Sequence, residues 1–173
     1  MPTARRSRTI ATPVEELWEV IRDPQHLPRW WPRVTRIEDV DEDAFTEVMR
    51  TAKGKLVRAD FKLVKAAEDE RALMWEQQVE GTPFARLLKT AETEVRLAPA
   101  SAPPMPTLPS LNDSPAGEGA NSAATECAAG TEVTIELRQT LSGFLPRLGG
   151  YIVRRAAGAT LEEALDGLER LSG

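Results

Sequence analysis

The chain has 173 residues, 41% hydrophobic and 28% charged, with a formal net charge of -5 and a pI near 5.1. That is the profile of a globular domain long enough to bury roughly 70% of the surface its unfolded form exposes. The acidic balance argues against a nucleic-acid surface, which normally shows a basic stripe, and no apolar run approaches the ~20 residues that cross a bilayer.

The leader MPTARRSRTI is basic but lacks an apolar stretch behind its charges, so it reads as a strand and not as a signal peptide. One cysteine, Cys127, excludes an internal disulfide and fits a reducing compartment. A cytoplasmic protein is expected. Thr12 is placed to cap a helix that opens at Pro13, with Glu15 as the carboxylate of a capping box. Val14, Leu17, Trp18 and Ile21 then form one apolar stripe, while Glu15, Glu16, Glu19 and Arg22 stay wet. Asp23-Pro24 ends that helix and caps a second, shorter one. Pro28 and Pro32 bracket Trp30 and Trp31 in a stiff aromatic corner, where tandem tryptophans cannot both point inward.

From there the pattern alternates, as antiparallel strands joined by hairpins do. Asp41-Glu42-Asp43, Lys53-Gly54, Ala67 to Glu70 and Gly81-Thr82-Pro83 are the turns. Val57, Ala59, Phe61 and Leu63 share one face; Leu73, Trp75, Gln77 and Val79 continue it. Leu87, Lys89, Ala91, Thr93, Val95 and Leu97 form the next inward set, and Val133, Ile135, Leu137, Gln139 and Leu141 the last. Residues 99–129, rich in Pro, Ala, Ser and Gly, read as a disordered insertion within one hairpin, because the strand pattern resumes at Thr131 with matching parity. Residues 1–173 therefore read as a single domain. A long helix is expected from about Pro146 to Leu171, with Val153, Ala157, Leu161, Ala164, Leu165, Leu168 and Leu171 on one stripe. Gly149, Gly150 and Gly158 in its first half suggest either close packing on the sheet or room left beside it.

The order of elements is that of an α+β helix-grip fold, in which a curved antiparallel sheet wraps the final helix. Ala11-Thr12-Pro13-Val14, Leu17-Trp18, Asp23-Pro24, Trp30-Trp31-Pro32, Gly81-Thr82-Pro83-Phe84 and Gly130-Thr131-x-Val133-Thr134 carry a likeness to the START-like superfamily. Specifically, the chain resembles the bacterial SRPBCC proteins described as polyketide cyclase/dehydrase-like, over nearly its whole length outside the insertion. The resemblance implies an internal pocket for a lipid, polyketide or other hydrophobic molecule. It does not by itself imply a reaction.

His26 is the only histidine and lies among surface-type neighbours, which leaves no metal-binding cluster. Cys127 falls in the insertion, where a nucleophile would not be held in place. No glycine-rich phosphate loop precedes a helix, and no cofactor is expected. More telling are the polar residues on the apolar parity, Gln77, Lys89, Thr93 and Gln139, since a polar group facing a dry interior is costly unless it is bonded. Either they sit at strand ends near water, with a bulge turning Lys89 outward, or they serve the polar end of a bound molecule. In a pocket between sheet and helix, Phe61, Trp75, Leu87, Ile135 and Val153 would supply apolar wall, Gln77, Lys89 and Gln139 polar anchors, and Trp30 and Trp31 a rim. The leading expectation is binding of a small hydrophobic or amphipathic ligand. An aromatase/cyclase with Lys89 as its base is a second, and a ligand-free protein-interaction module using the Trp30-Trp31 corner or the 99–129 insertion a third.

Overall fold

The structure is a computed structural model that describes residues 2–100, 130–142 and 148–173. Strand β1 (Thr3–Ile10) is followed by helix α1 (Val14–Arg22), a 3-10 turn (Pro24–His26) and the single-turn helix α2 (Leu27–Trp30). Then come β2 (Val34–Glu38), β3 (Ala44–Arg50), β4 (Leu56–Ala67), β5 (Ala72–Gln77), a second 3-10 turn (Pro83–Arg86), β6 (Leu88–Pro99), β7 (Thr131–Leu141) and the long helix α3 (Leu148–Leu171). The strands form one antiparallel sheet in the order β1-β7-β6-β5-β4-β3-β2. The two N-terminal helices carry the chain from one edge to the other, and hairpins bring it back. This is the helix-grip arrangement that the order of sequence signals implies.

The amphipathic stripe of α1 buries Leu17, Trp18 and Ile21 as its spacing requires. Its start differs from expectation. Pro13, not Thr12, is the N-cap, and no side chain caps it. Thr12 is buried, and its carbonyl accepts a hydrogen bond from the hydroxyl of Thr131, which ties the helix entry to β7. Glu15 pairs with Arg71, whose guanidinium lies 5.6 Å from the Trp18 ring centroid, so the capping box does not form. Asp23 does cap the next turn, accepting from the Gln25 N–H at 2.9 Å.

Parity holds along the strands: Ala59, Phe61, Leu73, Trp75, Val95, Leu97, Val133 and Ile135 all face the core. The hairpin register is also as expected, with Pro99 opposite Thr131 and Leu97 opposite Val133. The expected insertion at 99–129 begins later than its composition implies, since Pro99 still pairs in β6 and the Ala100 N–H donates to the Gly130 carbonyl; the rest of it, 101–129 with Cys127, lies outside the described residues. The last two-thirds of α3 closes the core through Ala157, Leu161, Ala164, Leu165 and Leu168. Gly167 is the small residue that matters for packing, because a methyl group there would overlap the backbone of Trp30. Arg8 on β1 reaches Glu162, Asp166 and Glu169 on one flank of α3. No helix among the described residues is long and apolar enough to cross a membrane.

Candidate functional site

Sheet and helix do not meet along their whole length. Where β6 begins, β7 ends and the first half of α3 crosses, they leave a cavity of about 440 Å³, within the range of small-molecule sites. The sheet supplies Phe61 from β4, Trp75 and Gln77 from β5, Ala91 and Thr93 from β6, and Leu137 and Gln139 from β7. The helix supplies Val153, Ala156, Ala157 and Thr160. These helix residues are mostly short, so they leave open the kind of space that leucines fill farther along α3.

Aromatic contacts brace the wall. Trp31 meets Trp75 edge to face at 6.1 Å between centroids, and Phe45 stacks on Phe61 at 5.4 Å with planes 10° apart. Contacts of this kind are each worth about 0.5–1.5 kcal/mol beyond the area they bury. Rings locked against one another do not swing in to fill the space, so the hollow is pre-formed.

Two polar groups on this wall have no side-chain partner among the described residues. Gln77 is 8% exposed, and its Nε2 has no hydrogen-bond acceptor among the described residues. Glu47, at the middle of β3, is 1% exposed and lines the cavity. No described side chain pairs with its carboxyl. Burial pushes that carboxyl up to about 8, because removal from water penalises the charged form. Glu94 makes the contrast. It is buried almost as well, at 7% exposed, but on the other face of the sheet, where Arg96 and Arg138 grip it. Burial pushes Glu94 up as well, yet its bonds to those two arginines outweigh the effect and hold it below the ordinary carboxylate range. Nothing comparable neutralises Glu47. At neutral pH it is an O–H donor set in an apolar wall.

Of the residues singled out from sequence, Phe61, Trp75, Gln77, Gln139 and Val153 lie together on this lining, with Trp31. Four others are placed differently. Lys89 is exposed, because a bulge between Leu88 and Thr90 inserts an extra residue into β6. That bulge turns Leu88 to the cavity and sends the lysine outward. Leu87 does line the cavity, but at its mouth, 63% exposed at the end of the second 3-10 turn. Ile135 faces inward but sits fully buried in the closed part of the core, off the cavity. Trp30 is no rim residue: it is buried beneath α3, and the corner splits its two tryptophans between core and cavity. Glu47 was missed, although Phe45, Glu47 and Met49 alternate in the manner of an inward face.

A sequence model of the family described as "Polyketide cyclase / dehydrase and lipid transport" matches residues 1–173. No curated protein matches. Among solved structures, a START superfamily protein from Mycobacterium smegmatis superposes with a TM-score of 0.68 at 14% identity, covering 98% of this chain and 96% of that one. The Zhui aromatase/cyclase from a Streptomyces species gives a TM-score of 0.68 at 12% identity, covering 98% and 92%. One domain's worth of the di-domain ARO/CYC BexL matches with a TM-score of 0.69 at 16% identity, covering 98% of this chain and 46% of that one. Identities this low speak to fold alone. With the family model spanning the chain, the protein belongs to the polyketide cyclase/dehydrase and lipid transport family, and it shares the fold of the START superfamily structure it superposes on.

Proposed function

We propose that this protein binds a small hydrophobic or amphipathic molecule, a lipid, polyketide or aromatic compound, inside the cavity between the sheet and the first half of α3. The observation that carries the reading is the cavity itself: about 440 Å³ of space walled by Phe61, Trp75, Leu137 and Val153 and interrupted by a few polar groups. A soluble domain leaves apolar space of this size unfilled at a cost, since each missing contact forfeits packing energy. A guest recovers it. A cytoplasmic location is part of the same reading.

Native mass spectrometry and thermal-shift screening with lipids and aromatic polyketides test it. The wild-type protein should retain or be stabilised by at least one class. Ala157→Phe, which puts a ring into the hollow from the helix side, should abolish that response while the protein stays folded. An undiminished response in Ala157→Phe would place the guest elsewhere.

A second reading, a cyclase-type enzyme, is supported by Glu47, a protonated carboxyl on the cavity wall able to deliver a proton to a bound substrate. Lys89 does not take that role, because it is exposed. The third reading, an interaction module, finds no support in the aromatic corner, since Trp30 is buried and Trp31 faces the cavity; its other half, the insertion, lies outside the described residues.

A further inference from the structure

The cavity is mostly apolar, and one wall carries two buried polar groups, Gln77, whose Nε2 has no acceptor, and Glu47, whose carboxyl has no side-chain partner among the described residues. Phe45, Phe61 and Gln77 form a single cross-strand row over β3, β4 and β5, and Glu47 is the next inward residue along β3 from Phe45. Glu47 and Gln77 therefore flank the Phe61 ring, two strands apart and one inward step out of line. Strand geometry separates their Cα atoms by about 12 Å, a span that two long side chains can close onto one atom held between them.

What they offer is the same on both sides. The Gln77 Nε2 is an N–H donor with no acceptor. The Glu47 carboxyl, neutral at physiological pH, donates an O–H. Among the described lining residues, Arg86 is the only other charged group, and it is exposed at the mouth. The flanking strands place Arg36, Glu38, Arg58 and Asp60 on the opposite face, where Arg58 pairs with Glu38 and Asp39, and Asp60 accepts from Thr46. From α3, only uncharged residues reach the cavity.

Resting on the cavity reading above, we propose that the guest carries a neutral carbonyl oxygen, which Glu47 and Gln77 hold as paired hydrogen-bond donors on the β3–β5 wall. A carbonyl has two acceptor lone pairs and no proton to place, so it satisfies both groups. An ammonium would serve Glu47 alone and leave the Gln77 N–H buried without an acceptor. A carboxylate could accept from both, but it would bring a bare negative charge into a wall whose burial already keeps Glu47 protonated. A hydrocarbon satisfies neither.

Matched naphthalenes test the assignment: 2-acetylnaphthalene, its isopropenyl isostere, 1-(2-naphthyl)ethylamine and 2-naphthoate, with affinities measured by fluorescence or calorimetry at pH 6.5. The ketone should bind about tenfold more tightly than the isopropenyl compound, and the amine and the carboxylate should bind more weakly than the ketone. Glu47→Leu and Gln77→Leu should each remove most of that preference without weakening the isopropenyl compound. Glu47→Gln, which keeps a donor, should retain it. Ketone affinity of the wild type should fall as pH rises through about 8, where Glu47 becomes an acceptor-only carboxylate, and should stay flat in Glu47→Gln. If the isopropenyl compound or the amine binds as tightly as the ketone, the carbonyl assignment is overturned while the cavity stands. If no naphthalene binds, both fall.

Discussion

The two halves of α3 face the same sheet and do opposite things. From Leu161 to Leu168 the helix presses leucines and Ala164 into a core with Ile10, Leu17, Val133 and Ile135, and the close approach at Gly167 draws it onto Trp30. From Val153 to Thr160 it presents Ala156, Ala157 and a threonine to a wall that holds Glu47, Gln77 and Gln139, and the space between stays open. One end supplies stability and the other leaves a hollow. A grip fold needs the first to tolerate the second, because the unfilled end leaves a buried carboxyl and an amide without side-chain partners among the described residues.

The largest expected effect breaks the open end's cost directly. In the unfolded chain Glu47 ionises near its ordinary value, whereas in the native protein it stays protonated up to about 8. The unfolded state therefore gains relative to the native state as pH rises between those two values, so stability present below about 4.5 is progressively lost by about pH 8. The full difference is of order 5 kcal/mol. Urea unfolding from pH 5 to 9 should show wild-type stability declining across that window and Glu47→Gln declining much less; parallel profiles would show that the native carboxyl is already ionised. At the closed end, Leu161→Ala should cost about 2–5 kcal/mol and leave the affinity of any cavity-bound probe within a few-fold of wild type. A loss of affinity larger than the loss of stability explains would show that the two ends are not separable. The smallest effect is expected from Lys89→Met. The residue is exposed on a bulge, so stability should move by less than about 0.5 kcal/mol and probe affinity not at all.

Much of this division was legible in the sequence, and the parts that were not have identifiable physical causes. Period-two alternation placed Phe61, Trp75, Gln77 and Gln139 on the inward face, because parity is a local property of an extended chain. Lys89 was misplaced because a single inserted residue reverses parity, and nothing in Leu87-Leu88-Lys89 announces a bulge. Ile135 was assigned to the right face and the wrong end, since position along the helix depends on where α3 crosses the sheet. Glu47 escaped notice because a lone carboxylate between Phe45 and Met49 reads as outward, and the apolar Val48 on the opposite parity obscures the alternation of Phe45 and Met49. The capping role given to Thr12 went instead to a tertiary contact with Thr131, a partner at the far end of the chain.

That contact belongs to a wider feature, the pairing of β1 with β7. Strands β2 to β6 are joined by turns short enough to nucleate locally, whereas β1 must wait for a partner from the opposite end of the sequence, and α3 is tied by Arg8 to that same late-arriving strand. Bringing such distant segments together carries a loop-closure penalty before any contact rewards it. Assembly should accordingly be rate-limited by docking of the first strand and last helix onto a preassembled hairpin array, and a guest loaded before that step would find no lid above it.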